Sequence, residues 1–181
     1  AGSYAYVIDS HGLTVLDLTA PAMPVPLGSV DIPGDARYLA VRHPYVFVVC
    51  DAEEYPAPGN GLYMVDVSDP LAPWIAGTLT AEDAPHYGVG LWEHYALVGT
   101  YGAGFAMIDI SNPPALAIAA QVGVQRTVRD LCIDGSLLFA GPESIASYRL
   151  SESLTPGPGA VVPGTPESRV IATLGDNAYE D

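Results

Sequence analysis

The stretch GLYMVDVSDP (residues 61–70) decides how this chain is read, because its pattern recurs. GLTVLDLTAP fills residues 12–21 and GFAMIDISNP fills residues 104–113. Each copy runs Gly, a bulky apolar residue, an alternating segment, Asp, then Ser or Thr, then Pro. A fourth and eroded copy is SIASYRLSES (144–153), with Arg149 at the Asp position and Ser153 at the Pro position. Working outward, a second pattern precedes each copy: YAYVID (4–9), YVFVVC (45–50), YALVGT (95–100) and LLFAGP (137–142). These begin 41, 50 and 42 residues apart. A third pattern precedes the second: ARYLAV (36–41), HYGVGL (86–91), VRDLCI (128–133) and RVIATL (169–174). The last residues, AYED (178–181), restart the second pattern.

A period of about 40–50 residues fits propeller blades or helical HEAT-type repeats. The internal spacing separates them. Leu13, Val15 and Asp17 alternate with Thr14, Leu16 and Leu18, a period of two rather than 3.6. Tyr, Val, Ile and Phe fill these runs, and Gly or Pro punctuates them. A helical repeat could not carry Pro at these positions, since Pro removes an N–H and clashes with the preceding turn. Each period therefore holds four short strands, a to d; in the second repeat they are 36–41, 45–50, 61–67 and 74–80. The expected fold is all-β: a β-propeller of about four four-stranded antiparallel blades, either a closed four-bladed ring or part of a larger propeller. It forms one domain over 1–181, with repeats at about 4–44, 45–94, 95–136 and 137–177.

The G-L-x-V-x-D-x-S-x-P phrase, preceded by a YAYV strand and followed by a second Pro, resembles the LVIVD repeat. The resemblance covers essentially the whole chain. It implies propeller-like domains of bacterial or archaeal surface or secreted proteins. Arg149 and Ser153 depart from the pattern, so the turn they occupy is expected to be built differently. The resemblance speaks for the fold and not for an activity, because one fold hosts many functions.

Composition narrows the function classes. Of 181 residues, 21 are acidic and 6 basic, a net charge of −15. All six basic residues are arginines, so a Schiff-base or P-loop lysine is excluded. Phosphate binding needs clustered positive charge, so no nucleic-acid partner is expected. No apolar run reaches the ~18 residues that span a bilayer, so no membrane insertion is expected. Cys50 and Cys132 sit in apolar runs and read as free thiols. The sequence opens Ala-Gly-Ser without a Met, as in a processed product or a fragment.

The motif Asp17, Asp66 and Asp109 invite a metal reading. Equivalent positions of successive blades lie far apart, however, and Asp before Ser/Thr-x-Pro accepts turn N–H bonds. They read as folding devices. The first repeat lacks strand a, and RVIATL (169–174) is a strand a without a full blade. That strand could complete the first blade. A longer propeller or a second chain could do so instead.

Propeller ligands usually sit at the face carrying the b–c and d–a loops, near the channel lined by strand a. The long b–c loop DAEEYPAPGN (51–60) brings Asp51, Glu53 and Glu54, oxygen ligands of the kind Ca²⁺ takes. No cofactor is expected beyond that calcium. His11 and His86 fall on the same face, whereas His43 and His94 fall at matching a–b turns on the opposite one. Strand a contributes Arg37, Tyr87, Arg129 and Arg169 as ligand or channel candidates. The arginines fit ion pairs between blades or a carboxylate or phosphate ligand.

No nucleophile elbow, HExxH helix or phosphate loop is present. The expected function is a non-enzymatic extracytoplasmic binding module for a protein, glycan or matrix partner, with self-association possible. Two alternatives stand beside it. One is a metal-dependent hydrolase or lactonase-like enzyme, which needs His11, His86, Asp51 and Glu54 around one ion. The other is a structural subunit of an extracellular assembly.

Overall fold

The computed structural model describes residues 3–51, 59–80, 86–100, 104–123, 128–135, 137–141, 146–149 and 161–163. The strands fold into four sheets, and the second to fourth sheets each take their first strand from the repeat before, so they straddle the expected bounds 4–44, 45–94 and 95–136. Blade one holds β1 (Tyr4–Asp9), β2 (Gly12–Asp17) and β3 (Val25–Asp31) in that order. Blade two holds β4 (Ala36–Arg42), β5 (Tyr45–Cys50), β6 (Gly61–Asp66) and β7 (Trp74–Thr80). Blade three holds β8 (His86–Trp92), β9 (Tyr95–Thr100), β10 (Gly104–Asp109) and β11 (Ala117–Gly123), with a short 3₁₀ turn at Pro113–Ala115. Blade four holds β12 (Asp130–Asp134), β13 (Leu137–Gly141) and β14 (Ala146–Arg149).

Two details depart from the sequence reading. In the repeat pattern the strand after β14 would be the outer strand of blade four. Instead β15 (Val161–Pro163) lies parallel to β11, on the outer edge of blade three. The Asp and Pro that turn the chain straight back in blades one to three are Arg149 and Ser153 in repeat four, which therefore lacks that turn signal. The strand expected at 128–133 begins at Asp130. Val128 and Arg129 are held by blade three: the Val128 N–H donates to the Thr100 carbonyl at 3.4 Å, and the Gly88 N–H donates to the Arg129 carbonyl at 2.9 Å.

The motif residues do the same work in each blade. Asp17, Asp66 and Asp109 each end strand c opposite Tyr4, Tyr45 and Tyr95. Each carboxylate accepts the N–H two residues on: Thr19 at 2.7 Å, Ser68 at 2.8 Å and Ser111 at 2.9 Å. The next N–H, of Leu18, Val67 or Ile110, donates to the carbonyl just before strand b, of Ser3, Pro44 or His94. That gives the matching His43 and His94 turns a structural job. A bulge recurs in strand d opposite Val15–Leu16, Met64–Val65 and Met107–Ile108. Gly61 starts strand c at φ 143°, a conformation only glycine adopts without strain, and Gly12 does the same at φ 141°.

Alternation buries both faces of the middle strands, as stacked blades require. Val46, Val48 and Cys50 pack with Leu13 and Val15 of blade one, while Phe47 and Val49 pack with Val89, Ala96 and Val98 of blade three. Leu97, Phe105 and Met107 turn the other way and meet Leu131, Leu138 and Ala140 of blade four. Backbone also interlocks. A Cβ on Gly28 would stand 2.6 Å from the Leu71 carbonyl oxygen, and one on Gly77 would stand 1.8 Å from that of Pro113. In both cases the c–d turn of the next blade presses onto strand d. The equivalent residue in blade three is Ala120, and the next blade is the one whose motif is eroded.

Blade one is different on its far side. Val7 is 47% exposed, while Val48 and Val98 at the same register are 0% exposed. Among the described residues β1 pairs with β2 alone, so its other edge faces no strand.

Candidate functional site

The innermost strands β4, β8 and β12 lie side by side. Their registers make Arg37, Tyr87 and Arg129 equivalent, each two positions before the apolar residue (Leu39, Val89 or Leu131) that pairs with Val48, Val98 or Ala140. All three sit at the end of the blades that carries the b–c and d–a connections. The same end holds the β1–β2 turn with His11, the Asp35 lead-in to β4, and Asp51 at the end of β5.

Tyr87 is the centre of this arc. The Tyr38 ring meets it edge-on at a centroid distance of 6.5 Å. The Arg129 guanidinium carbon lies 5.5 Å from the Tyr87 ring centroid. A guanidinium over an aromatic face is held by the ring quadrupole, worth roughly 0.5–1 kcal/mol where exposed. The close approach has a backbone cause: a Cβ on Gly88 would lie 3.0 Å from the Arg129 carbonyl oxygen, so glycine lets β8 draw the Arg129 segment in. Arg37 extends the arc and is bonded to Asp35 through Nε at 3.2 Å and Nη2 at 2.9 Å. Asp130 accepts the Leu131 N–H at 2.9 Å. At the opposite end Arg42 reaches across to the Glu93 carbonyl, a second link between β4 and β8.

The long loop is anchored where it enters and leaves. The Asp51 N–H donates to the Asp35 carbonyl at 3.0 Å, and Asp51 is buried. The buried Tyr63 hydroxyl lies 2.8 Å from the Gly59 carbonyl and 3.0 Å from the Pro33 carbonyl, and its proton bonds the two loops together. Burial pushes the Tyr63 phenol above its ordinary range. Burial also pushes the nearby Cys50 thiol up to about 12, with the Asp35 charge adding to it.

The expected site residues are therefore partly assembled. Arg37, Tyr87 and Arg129 share one arc. His11 is exposed in its turn, where the Asp9 carboxylate accepts the His11 N–H at 2.8 Å, and that bond holds Asp9 below the usual carboxylate range. His86 opens β8 opposite Thr100. Glu53, Glu54 and Arg169 lie outside the described residues. Among the described residues no three His, Cys, Asp or Glu side chains gather as a metal would need. Tyr38 and Tyr63 were not singled out in the sequence. Tyr38 stands next to Arg37 in strand a, and Tyr63 is the one Tyr in the second position after the strand-c glycine, where the other copies have Thr14 and Ala106.

The LVIVD repeat matches residues 1–32, 33–80 and 87–123. The chain belongs to the LVIVD repeat family. Its structure is similar to the computationally designed Ika4 protein, with a TM-score of 0.61 and 11% identity, over 83% of this chain and 88% of that one. The computationally designed Ika8 protein matches with a TM-score of 0.61 and 10% identity, over 83% of this chain and 44% of that one. A chain of a nidogen/laminin complex matches with a TM-score of 0.56 and 10% identity, over 86% of this chain and 57% of that one. The LVIVD chain thus spans about half the length of the latter two. At these identities the likeness shows the propeller fold. No curated protein matches the sequence.

Proposed function

We propose that this LVIVD domain is a non-enzymatic, extracytoplasmic interaction module that engages a protein, glycan or matrix partner through the arc of Arg37, Tyr38, Tyr87 and Arg129. The observation that carries the reading is the placement of Arg37, Tyr87 and Arg129 at one register of three adjacent innermost strands, with Tyr38 beside them. Aromatic residues and Arg are the residue types that concentrate binding energy at interfaces. The nidogen/laminin neighbour is a chain seen in a complex with another protein, which supports the reading by analogy of fold. The lysine-free, acidic composition and the family resemblance support a place outside the cytoplasm.

The test is binding to an array of immobilised glycans and matrix proteins, laminin among them. Tyr87→Ala or Arg129→Ala lowers the affinity of any saturable partner at least about tenfold, near 1.4 kcal/mol. Trp74→Ala, which removes a side chain 56% exposed at the other end of blade two, leaves it unchanged. Binding that ignores the arc and needs Trp74 would overturn the assignment.

A calcium role for Asp51, Glu53 and Glu54 is a separate proposal. A cation bound only by the native state stabilises it by RT ln(1 + c/Kd) at free concentration c, so the melting temperature climbs with the logarithm of c once that exceeds Kd. Calcium is expected to raise it relative to chelator, and identical melting curves would remove the ion from the account.

A further inference from the structure

We propose that blade one docks blade four of a second copy, so that two chains associate head to tail through their end faces. The stacking inside the chain shows what such a contact needs. Three core clusters join blade one to two, two to three and three to four. Blade two receives blade one through Val46, Val48, Val65 and Val67, and blade three receives blade two through Ala96, Val98, Ile108 and Ile110. All eight are buried. The pairing registers put Ala5, Val7, Leu16 and Leu18 of blade one at the same four positions. They repeat the apolar pattern of blade three almost side chain for side chain. An antiparallel sheet face left to water ordinarily carries polar residues. Yet Val7 is 47% exposed, and among the described residues no core cluster includes any of the four.

Blade four carries the complement. Phe47 and Leu97 hold one place in strand b and bury against the blade that follows. Phe139 holds that place in blade four and is only half-buried. Cys132, opposite Phe139 in the register, is exposed, whereas Ala40, opposite Phe47, packs against the cluster between blades two and three. Phe139 and Cys132 thus present to a following blade what Phe47 and Ala40 present to blade three. Among the described residues no core cluster joins blade four to blade one, so each copy keeps one presenting and one receiving face. Such a pair is heterologous and closes into a ring if the rotation allows. Two copies bring about eight blades, a number at which propellers close, so the expected product is a ring of two. This surface lies apart from the arc and does not depend on what the arc binds.

The experiment is sedimentation velocity of the whole chain from about 1 to about 500 µM, a span that covers the micromolar affinities of modest interfaces. The mass is expected to double across it. Added salt shifts the doubling to lower concentration, because apolar burial works against the repulsion of two chains of charge −15. Val7→Asp and Phe139→Lys each hold the chain at the monomer mass. The circular dichroism of Val7→Asp stays that of the wild type, since Val7 is exposed in a single copy. Mixed one to one, the two variants recover the double mass, because one interface is native and the other sets opposite charges face to face. If Phe139→Lys disturbs the fold, Cys132→Arg, at an exposed position of the same face, takes its place in the mixture. Met23→Asp, at a turn position 72% exposed, leaves association unchanged. A wild-type monomer throughout, association that survives Val7→Asp, or a mixture that stays monomeric overturns the proposal.

Discussion

At the scale of single residues, the chain relies on short carboxylate-to-backbone bonds at its turns. Asp109 accepts both the Ser111 N–H and its hydroxyl, the latter at 2.7 Å, and Asp17 makes the same pair of bonds with Thr19. These bonds hold both carboxyls below the usual carboxylate range. The native state therefore binds fewer protons than the unfolded chain as pH falls. The stabilisation is fully present above the unfolded-state value and is lost as pH falls through the lower native one. Thermal melting should be flat near neutrality and drop below about pH 4. Asp109→Ala should cost about 1 kcal/mol, since exposed hydrogen bonds contribute modestly, and lower the melting temperature by roughly 2–4 °C. Asp109→Asn keeps an acceptor and should lose less, with a smaller acid dependence. The thiols give a second check. Cys50 is fully buried and its thiol stays protonated, whereas Cys132 is exposed. A thiol reagent at pH 8 should label Cys132 alone in the native protein and both after denaturation; rapid labelling of Cys50 would contradict the packing between blades one and two.

At the scale of elements, the strands and turns could be read before any coordinates existed. The motif fixes its own bonds: Gly for positive φ, Asp for the turn, Pro for the stop. Lateral packing was less visible, because it depends on which residue of a neighbouring blade arrives. Gly28 and Gly77 look like ordinary strand glycines in sequence, yet each receives a carbonyl from the next blade. Gly77→Ala forces a methyl onto the Pro113 backbone and should cost about 3 kcal/mol or more, since overpacking against backbone cannot relax by a rotamer change. In urea the unfolding midpoint should fall accordingly, and an unchanged midpoint would mean that blades two and three do not interlock there. Ala120→Gly, at the same register of blade three, should cost only about 1 kcal/mol. Repeat four departs from the pattern for a related reason. With Arg149 and Ser153 in place of the turn residues, local sequence no longer says where the chain returns, and β15 joins a neighbouring sheet instead.

At the scale of the whole molecule, blades support one another in order along the chain, and blade one lacks a neighbour on one side among the described residues. Val48→Ala should cost roughly 2 kcal/mol, as deletions in a close-packed core do. Val7→Ala, at the same register but half exposed, should cost much less. An equal loss would show a strand or blade covering β1. The candidate site also belongs to this scale, which is why only part of it was legible. Arg37, Tyr87 and Arg129 could be placed on innermost strands from the repeat alignment. That Arg129 stands over the Tyr87 ring could not, because it follows from Gly88 drawing two blades together. The arc therefore depends on that junction. Residue-resolved amide hydrogen exchange reads it directly through Gly88 and Val128, whose N–H groups bond across the junction to the Arg129 and Thr100 carbonyls. The prediction is that both exchange within about tenfold of the β9 core amides, as members of one cooperative unit. Free exchange at Gly88 and Val128 beside a protected β9 would contradict it, leaving the blades unstacked and the arc unformed.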